Sequence, residues 1–272
     1  MKKYSAVKRN PGKVIAMQLT SSETNYVHGA IRNVHLAHLF LPEWTVRIYT
    51  REGALSPRIL HKLNQSDATV IVTPVASDGH VMLPYMVSSD ITVKHFLIRD
   101  VLGRISQRDC DIVNDWLHRH EPFFCARDHP TLHHTPLIPG LFGANTAAFH
   151  ELSLYPSAIE RKIKDTYQTH QNQYYNFSHP YIPYASYNTS AYRMEDWYLN
   201  ELVWPKIKDK TTCYDSVHCN NWLRSGHVRP FPNPRTNMQF VGEHFRAFEV
   251  PVDFNVSRVL YEYEKNCSLT EH

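Results

Sequence analysis

Strand-like and helix-like segments alternate along the first 130 residues of this chain, and this alternation constrains its fold more than any other feature. The apolar run Lys13–Leu19 is typical of a buried strand. The capping side chains of Thr20–Asn25 follow it, and apolar residues then recur at helical spacing as far as about Phe40. The same alternation predicts further strands at Trp44–Tyr49, Ala68–Thr73, Lys94–Arg99 and Phe123–Ala126, with helices at 56–64 and 106–118. We therefore expect an α/β fold with a mainly parallel central sheet flanked by helices.

The second half of the chain is less regular. A segment with prolines and glycines at 136–143 precedes a predicted helix from Ser157 to Thr169, a tyrosine-rich stretch at 171–192 and a predicted helix at 193–206. No internal repeat separates the two halves. We expect one domain over residues 1–272, with a regular half at about 1–130 and an irregular half at about 131–272.

Composition excludes several classes of protein. The formal net charge of +3 and the absence of long basic runs argue against a nucleic-acid binder. No apolar run is long enough to span a membrane, and the amino terminus lacks the apolar stretch of a secretory signal. The five cysteines are scattered, so without a signal we expect reduced thiols and a cytoplasmic protein.

The first candidate site is the turn Arg99-Asp-Val-Leu-Gly-Arg104, which follows a β-type apolar run. Open α/β sheets place ligand-binding polar groups at the carboxyl ends of their strands. Asp100 is therefore a candidate for facing a metal ion or a ribose, while Arg99 and Arg104 are candidates for binding a diphosphate. The alternative is that Asp100 only caps the turn into the next helix.

A second polar cluster follows the strand predicted at 123–126. Arg127, Asp128 and His129 lie close in sequence to a turn that carries Gly140 and Gly143. Glycines permit close approach of the backbone, so this combination suits a pocket for a sugar or a phosphate.

A third candidate is the acidic pair Glu195-Asp196 near the start of a predicted helix. The helix dipole stabilises carboxylates there, which explains the pair without any function and predicts lowered pKa values. The functional interpretation is a general base that accepts a proton from a reacting hydroxyl. Since neighbouring residues are about 100° apart around a helix, we expect only one of the two to face the site.

The remaining candidates lie late in the chain. A proline-rich basic segment ends at Arg235 and is suited to covering phosphates, while His218 or His244 are candidates for supplying a ligand from the far side of the site. Each of these is a weak signal alone, and a core or surface role is the alternative.

In order along the chain, these segments resemble the small A-type glycosyltransferases and glycosyltransferase-like proteins of bacteria and of large DNA viruses of algae. The resemblance covers about residues 14–245. It rests on Gly29-Ala-Ile-Arg-Asn33, Pro42-Glu-Trp-Thr-Val-Arg-Ile-Tyr49, Arg127-Asp-His-Pro130 and Phe240-Val-Gly-Glu243, with Asp100–Arg104 in the place of an Asp-x-Asp motif.

The resemblance implies a GT-A fold, in which a Rossmann-like nucleotide-binding half is joined to an acceptor-binding half. It implies transfer of a sugar from a UDP- or GDP-sugar to a hydroxyl of a glycan or glycoprotein acceptor, with inversion. Thr20, Ser21 and Ser22 would contact the nucleotide, and Asp196 would be the base. The tyrosines of 171–192 would then stack on a sugar ring or pack as a lid.

One departure from the pattern matters most, because Leu102 replaces the second aspartate of the motif. A carboxylate is thereby lost from a site for Mn²⁺ or Mg²⁺. Three outcomes stay open: a metal held by Asp100, His218 and the diphosphate; metal-free transfer that uses Arg99, Arg104 or Arg235; or binding of nucleotide-sugar or glycan without transfer. A nucleotidyltransferase is a further alternative, but Thr20–Asn25 lacks the Gly-rich basic loop that it would need.

Overall fold

The structure, a computed structural model, describes residues 12–74, 82–130, 132–133, 135–155, 195–217, 227–235, 240–246 and 250–251. Its strands are β1 (Lys13–Gln18), β2 (Thr45–Arg51), β3 (Thr69–Thr73), β4 (His95–Ile98), β5 (Phe123–Arg127), β6 (Phe142–Asn145), β7 (Thr211–Asp215), β8 (His227–Arg229), β9 (Phe245–Arg246) and β10 (Val250–Pro251). Its α-helices are α1 (Thr24–Phe40), α2 (Pro57–Gln65), α3 (Gln107–Arg119), α4 (Thr146–Glu151) and α5 (Trp204–Ile207).

Three other helical pieces complete the described secondary structure. They are 3₁₀ helices at Leu83–Ser89 and Lys208–Lys210 and a π-helical turn at Tyr198–Val203, which residues 195–197 precede as helix. The helix predicted at 193–206 is therefore confirmed within the described residues. The helix predicted from Ser157 to Thr169 and the tyrosine-rich stretch 171–192 lie outside them.

Eight strands form one sheet in the order β3-β2-β1-β4-β6-β5-β7-β8. β6 is antiparallel to both of its neighbours, and every other pair in this sheet is parallel. The prediction of a mainly parallel α/β sheet is confirmed. The second half is more regular than expected, because β6, β7 and β8 continue the sheet that the first half begins.

Local sequence signals explain where the helices begin. Ser56 precedes Pro57, and its hydroxyl accepts a hydrogen bond from the backbone N–H of Ile59 at 3.4 Å, as a cap does. Ser106 caps α3 in the same way through the N–H of Asp109. Both helices lie where the sequence predicts them.

Side chains that alternate along the strands build a core on each face of the sheet. On β1, Ile15 and Met17 pack with the cluster under α1, α2 and α3, while Val14 and Ala16 pack with a cluster that includes Phe149 of α4. All four β1 side chains are fully buried, as expected for a central strand of a parallel sheet. The strands are therefore held rigidly, and their carboxyl ends keep fixed relative positions.

A disulfide joins Cys125 of β5 to Cys213 of β7. The two residues lie opposite each other in the parallel ladder, with their Cα atoms 4.6 Å apart. The prediction that all the thiols are reduced is wrong for this pair, because strand register places both side chains together inside the core. In the part of the chain that is described, no helix is long and apolar enough to cross a membrane.

Candidate functional site

The polar segments singled out in the sequence meet at one edge of the sheet. Because β1, β4, β5 and β7 all run the same way, the residues that follow them lie at the same edge. These residues include Thr20–Ser22 after β1, Arg99-Asp100 after β4 and Asp128 after β5. The chain continues from β1 to β2 and β3 on one side of β1, whereas β4 lies on the other side of β1. Such a reversal of strand order opens a crevice at the carboxyl edge.

Asp100 is the accessible carboxylate at this crevice. Its side chain is 45% exposed, and its Oδ1 accepts a hydrogen bond from the backbone N–H of Leu102 at 2.7 Å. Its Oδ2 lies 3.7 Å from Nε2 of His244. Gly140 packs against this residue with a φ of +79°, and a Cβ at that position would lie 3.1 Å from the backbone nitrogen of Asp100. The carboxylate is thus fixed in place while one of its sides stays open.

Helix α1 holds the turn that carries Asp100. The side-chain amide of Asn33 donates to the carbonyl oxygens of Gly103 at 2.6 Å and of Val101 at 3.2 Å, and its oxygen accepts from the N–H of Ile105. A Cβ on Gly29 would lie 2.2 Å from the carbonyl oxygen of Val101. The Gly-Ala-Ile-Arg-Asn segment therefore exists to let the helix approach the turn and satisfy its carbonyls.

The late segment 240–246 covers the same turn from another side. The backbone N–H of Phe245 donates to the carbonyl of Leu102 at 3.0 Å, which places His244 beside Asp100. Of the two late histidines considered from the sequence, His244 therefore reaches the site. The other, His218, lies outside the described residues.

The three arginines expected to bind a diphosphate are buried in internal contacts. Arg99 pairs with Asp109 of α3 at 3.0 Å, and Arg235 pairs with Asp128 at 2.6 Å. Arg104 donates to carbonyl oxygens of its own turn and lies over an aromatic ring. Each of their side chains is less than a tenth exposed. Their charges hold the turns together.

Asp128 is the centre of a buried network. Its carboxylate accepts two hydrogen bonds from Arg108, at 2.8 and 3.0 Å, and one from Arg235 at 2.6 Å. The hydroxyl of Ser216 and the backbone N–H of Val241 donate to it as well. The network ties together α3, the ends of β5 and β7, and the late segment. Asp128 is fully buried.

The neighbours of Asp128 are also buried and engaged. Arg127 pairs with Asp215 across β5 and β7 at 2.7 Å, with both side chains fully buried. The ring of His129 accepts from the N–H of Leu132 at 3.0 Å and packs against Phe240. Gly143 lies inside β6, in contact with the neighbouring strands. These residues shape the floor beneath the crevice.

Thr20, Ser21 and Ser22 lie on the loop that leaves β1, at the other wall of the crevice. Ser22 is exposed and Thr20 and Ser21 are half-buried. The hydroxyl of Ser21 accepts from the N–H of Glu23 at the start of α1. The loop is held locally and presents hydroxyl groups on the surface.

The acidic pair is split between two environments. Glu195 accepts a hydrogen bond from the hydroxyl of the buried Tyr85 at 2.9 Å. Its burial, together with the negative charges of nearby Asp100 and Asp196, raises the pKa of Glu195 to about 8. The expectation of a pKa lowered by the helix dipole is wrong for Glu195, because the cost of burying its charge exceeds any stabilisation by the dipole.

Asp196 faces a different part of the molecule. Its carboxylate accepts from the side-chain amide of Asn200 at 3.0 Å and from the hydroxyl of Thr135 at 3.4 Å. Asn200 in turn exchanges two hydrogen bonds with the backbone of Leu137. Asp196 therefore connects this helix to the loop before β6. Glu195 is the member of the pair whose pKa is raised by the negative charge of Asp100.

Sequence reasoning missed two residues of the site. Asn33 occupies an apolar helix face between Ala30 and Val34, and a polar residue at such a position signals a buried hydrogen-bond partner. Tyr85 belongs to a 3₁₀ helix that no periodicity marks, so nothing in the sequence pointed to its contact with Glu195.

Comparison with known proteins returned solved structures only, since no family model and no curated protein matches the chain. Residues 1–349 of TarS from S. aureus match with 9% identity over 53% of this chain and 49% of that one, at a TM-score of 0.40. The Pyrobaculum calidifontis mannosyltransferase PcManGT, solved in complex with GDP-Man and Mn²⁺, matches with 12% identity over 55% and 50%, at a TM-score of 0.40. A cytidylyltransferase from Leptospira borgpetersenii matches with 9% identity over 52% and 62%, at a TM-score of 0.39. The match thus spans about half the length of the TarS fragment and of the mannosyltransferase.

Proposed function

We propose that this chain is a glycosyltransferase of the GT-A type, which moves a sugar from a nucleotide-diphosphate donor to a hydroxyl of a glycan or glycoprotein. The observation that carries the proposal is the reversal of strand order between β1 and β4, with the accessible Asp100 at the carboxyl edge beside it. One wall presents the hydroxyls of Thr20–Ser22, and the other presents the half-exposed Asp100. A crevice at this point of an open α/β sheet is where nucleotides bind. The donor in this proposal is a UDP- or GDP-sugar.

Asp100 and His244 suit a divalent cation. A carboxylate and an imidazole 3.7 Å apart are ligands that Mn²⁺ accepts, and oxygen atoms of the donor diphosphate would complete its coordination. In the described residues no group of three or more side chains could hold a metal, so the cation in this proposal depends on the donor. When bound, it would neutralise charge on the leaving diphosphate.

The burial of the arginines supports this cation-dependent version over metal-free transfer. Arg99 and Arg235 are paired with internal aspartates, and Arg104 is bonded to its own turn. We assign all three, with Arg127, Asp128 and His129, to positioning the loops of the site. Gly140 and Gly143 allow the close packing of β6 beneath it.

Glu195 is the general base in this proposal, and Asp196 positions the helix that carries it. The acceptor oxygen attacks the anomeric carbon of the sugar as the bond from that carbon to the diphosphate breaks. The hydroxyl proton passes to Glu195, and the diphosphate leaves with the bonding electron pair. A carboxylate with a pKa near 8 is a stronger base than an ordinary one. Attack from the face opposite the diphosphate would invert the anomeric centre.

Donor binding is tested by thermal shift with a panel of UDP- and GDP-sugars, each with Mn²⁺ or with a chelator. We expect one donor to raise the melting temperature in the presence of Mn²⁺, because a ligand of the folded state stabilises it by mass action. Asp100→Asn should abolish this shift. Asp67→Asn is a matched control, since Asp67 is a partly exposed aspartate that precedes β3 at the opposite edge of the sheet. If no nucleotide-sugar shifts the melting temperature at millimolar concentration, the transferase proposal fails.

The base is tested by comparing Glu195→Gln with Asp196→Asn. Because Glu195 must lose its proton to act, we expect kcat/KM to rise with pH up to about 8. Glu195→Gln should lower kcat by about 10²- to 10⁴-fold and leave donor affinity nearly unchanged. Full activity in that variant, together with loss of activity in Asp196→Asn, would transfer the role to Asp196.

Leu102 favours a second candidate function, namely binding of nucleotide-sugar or glycan without transfer. It removes one oxygen ligand from the cation and leaves the rest of the turn intact. Donor binding without turnover on any tested acceptor would support this candidate. A cytoplasmic location stays part of this proposal, but the Cys125–Cys213 disulfide removes the argument from reduced thiols on which that expectation rested.

A further inference from the structure

The strand β3 lies at one end of the sheet, and its outer edge can pair with a further β-strand. Within the described residues β3 pairs with β2 alone and lies at the end of the sheet. All five of its residues are β-branched and uncharged, and the side chain of Val72 is 50% exposed. An uncharged apolar edge strand is a template for a further strand, and natural proteins cover such edges.

The sequence of β3 is the same in both directions. It is Thr69-Val-Ile-Val-Thr73. If two copies pair in antiparallel fashion around Ile71, that residue lies opposite its own counterpart. Val70 then lies opposite Val72 of the second copy, and Thr69 opposite Thr73. Each cross-strand pair joins identical β-branched residues, which pack well on a pleated surface.

The two faces of the strand fit the same arrangement. Val70 packs against the core cluster under the helices, while Ile71 packs against the cluster on the other face. A two-fold axis perpendicular to the sheet keeps each face on its own side. The half-exposed Val72 of one copy therefore meets the Val70 of the other, beside α2 of that copy.

We propose that β3 is the interface of a homodimer in which two copies form one continuous sheet through antiparallel β3–β3 pairing. Self-complementarity selects a second copy of this chain over an unrelated strand, since a two-fold interface must present the same patch twice. The axis points the carboxyl edges of the two sheets in opposite directions. Both crevices stay open, so dimer formation is independent of donor binding.

Light scattering and sedimentation across a range of protein concentrations test the association without any ligand. We expect a reversible dimer. Val72→Lys should raise its dissociation constant by at least about tenfold, since a charge on an edge strand opposes pairing. The control is Leu39→Lys, which changes an equally apolar side chain that is 69% exposed on α1 and should leave the dimer intact. A protein that stays monomeric at every concentration, or a dimer unaffected by Val72→Lys, overturns the proposal.

Cysteine cross-linking tests the register independently of the lysine variant. Ile71→Cys should form a covalent dimer under mild oxidation beyond the level of the unmodified protein, because this residue alone meets itself. Val70→Cys and Val72→Cys should cross-link when the two variants are mixed and much less when each is oxidised separately. Efficient cross-linking of either variant with itself, or none with Ile71→Cys, would exclude this register.

Discussion

The dipeptide Arg-Asp occurs at the carboxyl ends of two strands of this sheet, and the two aspartates lie in opposite environments. β4 ends before Arg99-Asp100, and β5 ends with Arg127 before Asp128. In both places the arginine is buried and paired with an aspartate of another element. The aspartates differ, because Asp100 is 45% exposed while Asp128 is fully buried and accepts five hydrogen bonds.

The difference shows that the donors around a carboxylate, and not the motif that contains it, decide what the carboxylate does. Asp128 has its oxygen atoms filled by two arginines, a hydroxyl and a backbone N–H, so no room is left for a ligand. Asp100 receives the N–H of Leu102 and lies near one imidazole. Its remaining lone pairs are available to a cation or to a substrate.

The most direct test of this difference is to neutralise each aspartate in turn and to measure the stability of each variant. Asp128→Asn leaves the buried charges of Arg108 and Arg235 without their partner, so we expect a loss of about 3–5 kcal/mol in the free energy of unfolding. Asp100→Asn should change stability by less than about 0.5 kcal/mol, because it lies at the surface. Urea unfolding followed by circular dichroism measures both. Equal stability of the two variants would refute the distinction.

A smaller effect is expected at the contact between α1 and the Asp100 turn. In Gly29→Ala the new Cβ would lie 2.2 Å from the carbonyl oxygen of Val101, so helix and turn must separate. We expect a loss of about 2 kcal/mol, as for other overpacked sites, together with weaker donor binding. Gly103→Ala is the matched control in the same turn, because its Cβ would find contacts no closer than 3.6 Å. Similar losses in the two variants would argue against tight packing at Gly29.

Replacing Leu102 with aspartate tests whether a cation binds at the turn that carries Asp100. Leu102→Asp adds a hard oxygen ligand to the turn, and we expect Mn²⁺ to bind about tenfold more tightly, which corresponds to about 1.4 kcal/mol. Leu102→Asn is the control for size without charge. Calorimetric titration with Mn²⁺ in the presence of UDP measures the difference. If the two variants have the same affinity, the cation does not bind at this turn.

Much of the fold was predictable from the sequence because its signals are local. The Ser56-Pro57 pattern and the apolar runs of β1 to β5 indicated most elements of the first half. β6, β7 and β8 were not predicted. Gly143 interrupts the strand pattern of β6, and only its contacts with neighbouring strands make it a strand.

The site was predictable in position and less so in detail. Asp100 emerged from the rule that strand ends carry ligands, and it lies in the crevice as expected. The burial of Arg99, Arg104 and Arg235 was not predictable, because it depends on how other elements pack against them. Asp109 of α3 pairs with Arg99, the ring of Phe245 lies against Arg104, and Asp128 pairs with Arg235. The same holds for Glu195, whose environment is made by Tyr85 from 110 residues away.

Glu195 extends the comparison to a third carboxylate, which is largely buried and accepts a hydrogen bond from Tyr85 instead of pairing with arginines as Asp128 does. In the unfolded chain it loses its proton near 4.5, whereas in the folded protein it keeps the proton until about pH 8. The fold therefore loses stability as the pH rises from about 4.5 to about 8, because ionisation favours the unfolded state. Glu195→Gln keeps a hydrogen-bond acceptor for Tyr85 and removes the charge. We expect this variant to gain on the order of several kcal/mol over the unmodified protein at pH 8 and nothing at pH 4.5. Thermal unfolding at the two pH values measures the difference, and a gain of the same size at both would mean that the proton on Glu195 does not contribute to stability.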